Sequence, residues 1–388
     1  MNVAFCYESV LPSRGGCETY IAGLARRLTL DGHEVHLYAR RWDESSLPET
    51  LRIHRVDVPR VPRFLRPWVF AAACRRALAA ANHEVAVGFD KLPGVDVIYP
   101  QGGLYAATVE HNLLKYRNPW TRRLASWLKL FDPSHRSFLM LDRHQYRRQP
   151  LLVVAISDMV RRHFEEYYHL DPANLRTVRI AIDLDRFDEC DRPRRRLEWR
   201  QHWGLAPEHT VALFAGMNYR LKGLEPLLRA VALLPAESPF RLLVAGSPDT
   251  APFERMAQRL GIANRVRFAG YCADMRNCYF AADFFVHPTF YDPCSLVVLE
   301  ALMCGLPVVT TRYNGASEVM RPPREGYVID DPHDREQLAG AIRNLLDPAR
   351  RSACAQAARR TAAQWTFEHH YREMLAVFAE AAARKHAA

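Results

Sequence analysis

Two carboxylates, Asp292 and Glu300, flank the start of a short apolar segment that runs Tyr-Asp-Pro-Cys-Ser-Leu-Val-Val-Leu-Glu-Ala-Leu-Met-Cys-Gly-Leu-Pro from position 291. Gly305 suits the left-handed position after a helix, and Pro307 stops its continuation. A helix that begins near Ser295 presents free N–H groups and a positive dipole end, which favour a bound diphosphate. We expect the two carboxylates to accept hydrogen bonds from hydroxyls, one on a hexose and one on a ribose. The alternative is a capped helix with incidental acidic residues.

Two cations form a second candidate, in the loop Ala-Gly-Met-Asn-Tyr-Arg-Leu-Lys-Gly from position 215, directly after a predicted strand. Arg220 and Lys222 near a helix start would suit the negative charge that develops on a leaving nucleotide diphosphate. The loop lacks the spacing of a Walker A motif. Taken alone, it is equally typical of a solvated pair of basic residues.

A third candidate is the pair Gly15 and Gly16, between the first predicted strand and the first predicted helix. Paired glycines allow a phosphate to approach the backbone and the helix N-terminus. The pattern is not a GxGxxG fingerprint, and a plain turn between strand and helix is the alternative.

Strands alternate with helices along most of the chain, which predicts parallel sheets covered by helices on both faces. The predicted strands are Val3–Tyr7, His33–Ala39, Arg52–Val58, Glu84–Phe89, Leu151–Ile156, Arg176–Ala181, Thr210–Ala215, Arg241–Ala245, Arg265–Phe268, Phe284–His287 and Pro307–Thr310. The predicted helices are Cys17–Asp31, Trp68–Ala80, Asp158–His169 with Ser157 as N-cap, Leu224–Leu234, Pro252–Leu260, Ser295–Cys304, His333–Leu346, Pro348–Gln364 and Phe367–Lys385.

The alternation restarts after a charged stretch, Asp183–Arg200, which lacks strong periodicity and is interpreted as a linker. The fold class is therefore α/β, with two doubly wound Rossmann-like domains facing a cleft. We expect an N-terminal domain over residues 1–182 and a C-terminal domain over residues 183–365. Residues 366–388 form a terminal helix that is expected to pack back on the N-terminal domain.

The charge and the cysteine pattern of the chain exclude several classes of protein. The chain of 388 residues has a formal net charge of +10 and nine scattered cysteines without a CxxC pair. A disulfide framework or a zinc site needs a tighter pattern, so reduced thiols and a cytoplasmic location are expected. The start of the chain lacks a cationic leader with an apolar core. The excess of positive charge favours polyanionic partners, but the sequence has no RRM, KH, helix-turn-helix or zinc-finger signature, so nucleic acid is not expected.

The segment Asn118–Phe131 is predicted to form an amphipathic helix with tryptophans on one side and basic residues on the other. The apolar face carries Trp120, Leu124, Trp127, Leu128 and Phe131, while the cations include Arg122, Arg123 and Lys129. This composition is typical of a helix that lies in a membrane interface. We therefore predict contact with an anionic membrane through Trp120, Arg123, Trp127 and Lys129. The alternative is an ordinary helix whose apolar face packs against the core.

Taken in order, these segments resemble the retaining glycosyltransferases of family 4, which have the GT-B fold. The resemblance spans essentially the whole chain and is most specific in the segment from Tyr291 to Thr311, which is similar to the Glu-x7-Glu motif of the family. The segments at Tyr219–Gly223, His287–Thr289, Asn314–Val319 and Glu325–Ile329 are similar to further family positions. Within the family, Val87–Val97 and the first strand look most similar to the lipopolysaccharide-core glucosyltransferases that act on inner-core heptose.

The resemblance implies that residues 1–182 form the acceptor-side domain and residues 183–365 the nucleotide-sugar donor domain, and it implies a role for each candidate. Arg220 and Lys222 would neutralise the donor diphosphate, Glu300 would hold the ribose hydroxyls, and Asp292 would contact the donor hexose. The backbone N–H groups of Cys294, Ser295, Leu296 and Val297 would bind sugar and phosphate, and Gly15 and Gly16 would close on the phosphates from the other domain. Asp292 is one methylene shorter than the family glutamate, and Met217 stands where many members have an arginine whose charge Arg220 would supply.

The resemblance also implies a mechanism and partners. The donor would be UDP-glucose, and the acceptor a phosphorylated glycolipid at the inner face of the cytoplasmic membrane. Transfer would need no cofactor, no bound metal and no protein nucleophile. Two other interpretations stay open, a nucleotide-sugar epimerase or hydrolase on the same fold and a non-catalytic sugar-binding scaffold.

Overall fold

The computed structural model describes residues 1–12, 15–147, 152–182, 187 and 190–387. These residues form two compact units: unit 1 comprises Met1–Arg179 with Glu368–Ala388, and unit 2 comprises Ile180–Phe367. Ser13, Arg14, Leu151 and most of the first part of the predicted linker lie outside the described residues.

Unit 1 contains nine described strands and seven described helices. The strands are β1 (Asn2–Cys6), β2 (Ser9–Val10), β3 (Glu34–Ala39), β4 (Arg41–Trp42), β5 (Arg52–Arg55), β6 (Val85–Gly88), β7 (Val97–Ile98), β8 (Leu152–Ala155) and β9 (Leu175–Thr177). Its first six helices are α1 (Gly16–Leu30), α2 (Arg66–Ala79), α3 (Tyr105–Leu113), α4 (Pro119–Lys129), α5 (Pro133–Tyr146) and α6 (Asp158–Tyr168).

Seven of these strands form one parallel sheet in the order β5-β3-β1-β6-β7-β8-β9. The central strands are continuous runs of buried residues, as expected for strands covered on both faces. The chain winds outward from β1 to β5 and then returns to β6 on the other side of β1. The topological switch point of unit 1 therefore lies between β1 and β6.

The described residues of unit 2 repeat this architecture with six strands and seven α-helices. Its strands are β10 (Thr210–Gly216), β11 (Phe240–Gly246), β12 (Val266–Gly270), β13 (Phe284–His287), β14 (Val308–Thr311) and β15 (Gly326–Ile329). Its helices are α7 (Arg192–His202), α8 (Leu224–Val231), α9 (Ala251–Arg259), α10 (Met275–Ala281), α11 (Leu296–Met303), α12 (Arg335–Leu346) and α13 (Pro348–Ala362).

The sheet of unit 2 is parallel and has the order β12-β11-β10-β13-β14-β15. This is the strand order of a dinucleotide-binding domain, with its switch point between β10 and β13. Fully buried side chains from the sheet and the covering helices, such as Phe214, Leu227, Leu242 and Ile342, form the core on one face. The predicted doubly wound α/β class is confirmed in each unit.

The last helix of the chain, α14 (Phe367–Ala387), packs against unit 1. His370 Nε2 lies 2.7 Å from the Tyr20 hydroxyl of α1, and Glu380 forms an ion pair of 2.6 Å with Arg176. The Phe378 ring also meets the ring of Phe5 in β1 at 6.4 Å between centroids. Polar and apolar contacts thus both hold this helix to unit 1.

The interpretation of Asp183–Arg200 as an irregular linker is wrong from residue 192 onward, where α7 begins. Pro193 occupies the first turn, where the missing N–H costs nothing. The helix is held largely by its arginines: Arg195 donates to Asn277 Oδ1 at 2.6 Å, and Arg200 donates to Asp283 Oδ2 at 2.7 Å. Because polar bonds rather than an apolar stripe attach α7, hydrophobic periodicity could not predict it.

The segment between β6 and β8 also differs from the prediction, since it contains α3, α5 and the short strand β7 as well as the predicted α4. Asp132 caps α5 by accepting from the Ser134 N–H at 2.8 Å. The predicted cap of α6 is confirmed, because the Ser157 hydroxyl accepts from the Val160 N–H at 3.2 Å.

Candidate functional site

The loop that follows β10 is a tight turn shaped by Asn218 and Gly223. Asn218 Oδ1 accepts from the Leu221 N–H at 3.1 Å, and its carbonyl accepts from the Lys222 N–H at 2.9 Å. Gly223 has a φ of +82°, and a Cβ at this position would lie 2.0 Å from the carbonyl oxygen of Pro288. Only glycine therefore allows the loop to rest against the chain that follows β13.

The loop that follows β13 is bonded directly to the first loop. The Thr289 hydroxyl lies 3.1 Å from the Leu221 carbonyl oxygen, and the Phe290 N–H donates to the same carbonyl at 2.9 Å. Thr311, at the end of β14, donates from its hydroxyl to the Thr289 carbonyl at 2.6 Å. These bonds join the carboxyl ends of β10, β13 and β14, which is where ligands bind in doubly wound sheets.

Lys222 and Asp292 meet at this switch point, with Lys222 Nζ 2.5 Å from Asp292 Oδ2. The side chains are 20% and 13% exposed, so the ion pair is largely withdrawn from water. Burial opposes ionisation of Asp292, but the Lys222 ammonium and the nearby His287 imidazole outweigh it and hold the pKa of that carboxyl well below its usual range. Asp292 is therefore an anion at neutral pH.

His287, the last residue of β13, lies behind this pair. Its Nε2 atom is 3.7 Å from Asp292 Oδ2, and its side chain is fully buried. Burial lowers the pKa of His287, and the nearby Lys222 charge lowers it further, against the opposing effect of Asp292. The imidazole is consequently neutral at pH 7, and Lys222 carries the positive charge of this cluster.

The backbone around Asp292 is fixed by Asn314. The Asp292 N–H donates to the Tyr313 carbonyl at 2.9 Å, while Asn314 Oδ1 accepts from the N–H groups of Ser295 and Ala316, both at 3.1 Å. Asn314 is fully buried, and its Nδ2 donates to Thr310 Oγ1 at 3.0 Å. Sequence reasoning noted Asn314 for its family resemblance but did not identify it as the residue that holds the start of α11.

The N-terminus of α11 offers fewer backbone donors than predicted. Ser295 is the N-cap, and its N–H already donates to Asn314, so it is not an available donor in this structure. The N–H groups of Leu296 and Val297 have no acceptor among the residues that the structure describes. These two N–H groups and the helix dipole can stabilise a negative group in front of the helix.

Glu300 lies one helical turn further along α11 and is held by a buried tyrosine. Tyr279, on α10, donates from its hydroxyl to Glu300 Oε2 at 2.7 Å. Burial and the Glu300 charge raise the pKa of the Tyr279 phenol well above its usual range, so the phenol remains a donor. Sequence analysis missed Tyr279, because nothing in the spacing links α10 to α11.

Comparison with known proteins shows to which protein family the chain is related. The model of glycosyl transferases group 1 matches residues 195–361, and that of Glycosyltransferase Family 4 matches residues 14–186. A D-inositol 3-phosphate glycosyltransferase of Catenulispora acidiphila is 35% identical over 380 residues, covering 87% of this chain and 83% of that protein. The chain belongs to glycosyltransferase family 4.

Two further relatives extend the comparison of this family 4 glycosyltransferase. The lipopolysaccharide glucosyltransferase WaaG of Escherichia coli K12 is 27% identical over 349 residues, covering 89% of this chain and 90% of that protein. The crystal structure of WaaG aligns with a TM-score of 0.82 at 25% identity and covers 97% and 99% of the two chains. Anabaena HepE in complex with UDP-glucose shares the fold, with a TM-score of 0.72 at 17% identity over 97% and 99% of the two chains. The predicted family and the GT-B fold are thus confirmed.

Arg220 of the family 4 enzyme is not part of the buried cluster. It lies on the exposed side of the loop after β10 and makes no ion pair with any residue that the structure describes. Met217, in the same loop, is 57% exposed. The structure thus brings Lys222 and Asp292 together and leaves Arg220 at the surface, where a role in neutralising phosphate stays a prediction.

Gly15 and Gly16 belong to unit 1 and form the start of α1. Gly15 is extended, with a φ of 178°, and its carbonyl accepts from the Thr19 N–H at 3.3 Å. A Cβ on Gly15 would lie 3.0 Å from Glu18 Oε2. The backbone here is close to a carboxylate of its own helix, and contact with the donor phosphates stays a prediction.

The amphipathic helix α4 does not bury its apolar face. None of its residues is buried, and the exposed fractions are 75% for Trp120, 56% for Leu124, 55% for Trp127 and 54% for Leu128. The rings of Trp127 and Phe131 contact each other at 4.7 Å between centroids, and Phe131 is 65% exposed. The alternative of an ordinary core-packed helix is therefore wrong.

Within the described parts of the chain, no helix is long and apolar enough to cross a membrane. The same residues contain no cluster of three or more histidine, cysteine, aspartate or glutamate side chains that could hold a metal ion. All nine cysteines are described, and none of them forms a disulfide.

Proposed function

We propose that this family 4 enzyme is a retaining, metal-independent hexosyltransferase that moves glucose from UDP-glucose to a heptose of a lipopolysaccharide inner core. The observation that carries the proposal is the ion pair of Lys222 and Asp292 at the switch point of unit 2, in front of the start of α11. The similarity to WaaG over nine-tenths of both chains supports glucose as the sugar and lipopolysaccharide as the acceptor.

The donor site follows from charges in unit 2. The diphosphate of the nucleotide sugar would meet the Lys222 ammonium and the N–H groups of Leu296 and Val297, which together offset its negative charge. Glu300, held by the Tyr279 hydroxyl, would accept from the two ribose hydroxyls. Asp292 would accept from a hydroxyl of the glucose while Lys222 turns to the phosphate.

The protonation state of Asp292 limits its chemical role. A carboxylate whose pKa lies well below its usual range cannot donate a proton at neutral pH, so Asp292 is not a general acid. In the unliganded protein, Lys222 Nζ offsets its charge from 2.5 Å. Its geometry suits a group that accepts a hydrogen bond and aligns both the lysine and the sugar.

In the proposed transfer, the bond between glucose C1 and the diphosphate oxygen breaks as the acceptor oxygen attacks C1 on the same face. The electron pair of the broken bond goes to the UDP oxygen, where Lys222 and α11 stabilise the charge. The proton of the acceptor hydroxyl passes to the leaving diphosphate. The products are UDP and a glucoside that keeps the anomeric configuration of the donor.

Isothermal titration of the purified protein with UDP, GDP, ADP and UDP-glucose, without added metal, tests the donor. We expect selective binding of UDP and UDP-glucose, weakened at least about tenfold by Lys222→Ala and by Glu300→Ala. The matched control is Arg229→Ala, which removes an exposed ion pair on α8. If the folded wild-type protein binds none of the four ligands, the donor assignment is refuted and a sugar-binding scaffold is favoured. If the protein turns over UDP-glucose without an acceptor, a hydrolase or an epimerase is favoured.

The proposal places the enzyme at the inner face of the cytoplasmic membrane through α4. An exposed face with two tryptophans, two leucines and a phenylalanine has the composition of an interfacial helix. Arg123 lies over the Trp120 ring at 5.7 Å, and Lys129 ends the helix, so charges flank the apolar face. Each such charge near an anionic surface contributes about 1 kcal/mol.

Flotation with phosphatidylglycerol-containing vesicles at low salt tests this attachment. We expect the wild-type protein to float and the double variant Trp120→Ser/Trp127→Ser to remain below. Arg123→Gln/Lys129→Gln should float less than wild type at low salt, and this difference should shrink as salt is raised. The control is Leu30→Ser, which removes an apolar side chain of 75% exposure from α1. Wild-type protein that does not float with these vesicles would refute membrane attachment.

A further inference from the structure

The switch point of unit 1 has its own set of polar side chains, which the donor chemistry does not use. Tyr7 and Glu8 follow β1, while Asp90 and Lys91 follow β6, so the two segments leave the sheet side by side. Burial raises the pKa of the Tyr7 phenol well above its usual range, and nearby groups that include Asp90 add to the effect. Both segments therefore meet at the edge of the sheet where a ligand is expected.

Lys91 is a largely buried ammonium with an incomplete set of partners. Its side chain is 19% exposed, and its single hydrogen bond among the described residues is to Asp90 Oδ1, at 2.9 Å. The ammonium lies 5.5 Å from the centre of the Tyr105 ring and 5.9 Å from the centre of the Phe138 ring. A lysine has three N–H donors, so two of them are left for another acceptor.

A structural role explains this lysine poorly. Its one ion-pair partner, Asp90, is the next residue in the chain and is itself 60% exposed, so the pair ties no distant elements together. The nearby Asp142 is already used, since its Oδ2 accepts from the Tyr105 N–H at 3.1 Å and caps α3. The two remaining N–H donors of Lys91, beside an accessible carboxylate, are therefore available to a ligand.

The charges around Lys91 select the class of ligand. Burial disfavours the ammonium, but Asp90 and Asp142 outweigh this and raise the pKa of Lys91. Two carboxylates face one ammonium, so this cluster does not attract an anion. A neutral sugar ring matches it, because its hydroxyls can donate to Asp90 and accept from Lys91 while its C–H face packs on an aromatic ring.

We propose that Asp90, Lys91 and Tyr105 form the subsite of unit 1 that binds the hydroxyls of the acceptor sugar. This assignment rests on the proposed transfer to a sugar acceptor. Asp90 accepts from one hydroxyl, Lys91 donates to a second, and the Tyr105 ring lies beneath the sugar. The subsite orients the acceptor and takes no proton from it.

Steady-state transfer from radiolabelled UDP-glucose to heptose-terminated lipopolysaccharide, with the full-length protein, tests the subsite. We expect Lys91→Met and Asp90→Asn each to raise the KM for the acceptor at least about tenfold, which corresponds to one lost hydrogen bond to a charged group. The KM for UDP-glucose and the affinity for UDP by titration should stay near wild-type values. The matched control is Asp57→Asn, which removes an aspartate of 85% exposure from the same unit.

The possible outcomes separate this inference from the proposed function. An unchanged acceptor KM in both variants, or an equal loss of UDP affinity, would overturn the subsite and leave the donor chemistry intact. A wild-type protein that binds UDP-glucose but does not use this lipopolysaccharide would refute the proposed acceptor. In that case, saturation-transfer NMR with free L-glycero-D-manno-heptose tests the subsite directly. The subsite predicts a saturation-transfer signal with the wild-type protein that Lys91→Met abolishes. Equal signals from the two proteins would overturn the subsite.

Discussion

Lys222 and Asp292 are 70 positions apart in the chain and are joined by a hydrogen bond of 2.5 Å between Nζ and Oδ2. The pair holds both side chains in place before any ligand arrives, and it leaves Asp292 ionised. In the proposed function, a diphosphate that enters this site would offer Lys222 a second anion, and the freed carboxylate oxygen would then accept from a sugar hydroxyl. The proposal thus has the ion pair of the unliganded protein organise the site for its donor.

Breaking this pair from one side should destabilise the protein more than removing both charges. Lys222→Met leaves the Asp292 carboxylate, which is 13% exposed, without its main counter-charge, and we expect a loss of about 3 kcal/mol in the free energy of unfolding. The double variant Lys222→Met/Asp292→Asn should recover at least half of that loss. Urea unfolding measures both, and equal losses in the two variants would contradict the prediction. Neither variant should transfer glucose.

The loop that carries Lys222 should tolerate no side chain at Gly223. Gly223→Ala places a Cβ 2.0 Å from the Pro288 carbonyl oxygen in addition to straining the left-handed backbone. We expect a loss of about 2–4 kcal/mol in unfolding free energy and weaker UDP binding. Gly261→Ala is the control, since Gly261 also has a positive φ but its Cβ would contact nothing, and it should cost only about 1 kcal/mol with UDP affinity unchanged.

Tyr279 should influence the donor nucleotide without touching it. Tyr279→Phe removes the hydroxyl that orients Glu300, and we expect the affinity for UDP to fall about fivefold, which corresponds to about 1 kcal/mol. The effect should vanish in a Glu300→Ala background, where the hydroxyl has nothing to position. Tyr327→Phe in β15 is the control, and an undiminished effect of Tyr279→Phe on the Glu300→Ala protein would show that Tyr279 acts elsewhere.

Transfer should not depend on a divalent metal, because in the proposed function Lys222 and the N-terminus of α11 would supply positive charge to the leaving diphosphate. The purified enzyme should keep its rate after dialysis against EDTA. A rate that falls in EDTA and returns with Mg²⁺ or Mn²⁺ would assign part of that charge to a metal ion.

Asp142→Asn should stabilise unit 1 at neutral pH. Burial raises the pKa of Asp142 from 3.8 to about 6, so the native state holds this proton to a higher pH than the unfolded chain does. Ionisation of Asp142 therefore lowers the free energy of unfolding progressively as pH rises from 3.8 to about 6, by about 3 kcal/mol in total for two pKa units. Below pH 3.8 the carboxyl is protonated in both states, and this loss is absent. The asparagine oxygen can still accept from the Tyr105 N–H. Thermal unfolding should show a gain near about pH 8 that disappears near about pH 4, and a gain that does not change with pH would contradict this origin.

The sequence by itself determined the two doubly wound units and the loops that carry the chemistry. Buried parallel strands are continuous apolar runs, and Lys222 and Asp292 each follow one of them, so their place at the carboxyl edge of a sheet follows from local pattern. The apolar and basic faces of α4 were equally visible, since a helix displays its period in the chain.

Only the tertiary structure decided which of these residues meet. In the folded protein, Lys222 forms an ion pair with Asp292, whereas Arg220 lies at the surface. The Ser295 N–H donates to Asn314, and the Tyr279 hydroxyl donates to Glu300. The tertiary structure also showed that the apolar face of α4 stays exposed and that α7 is a helix held by arginines. The physical reason is the same in each case: a pattern of neighbours along the chain specifies an element and its faces. Contacts between distant side chains depend on sheet order and packing, which leave no period in the sequence.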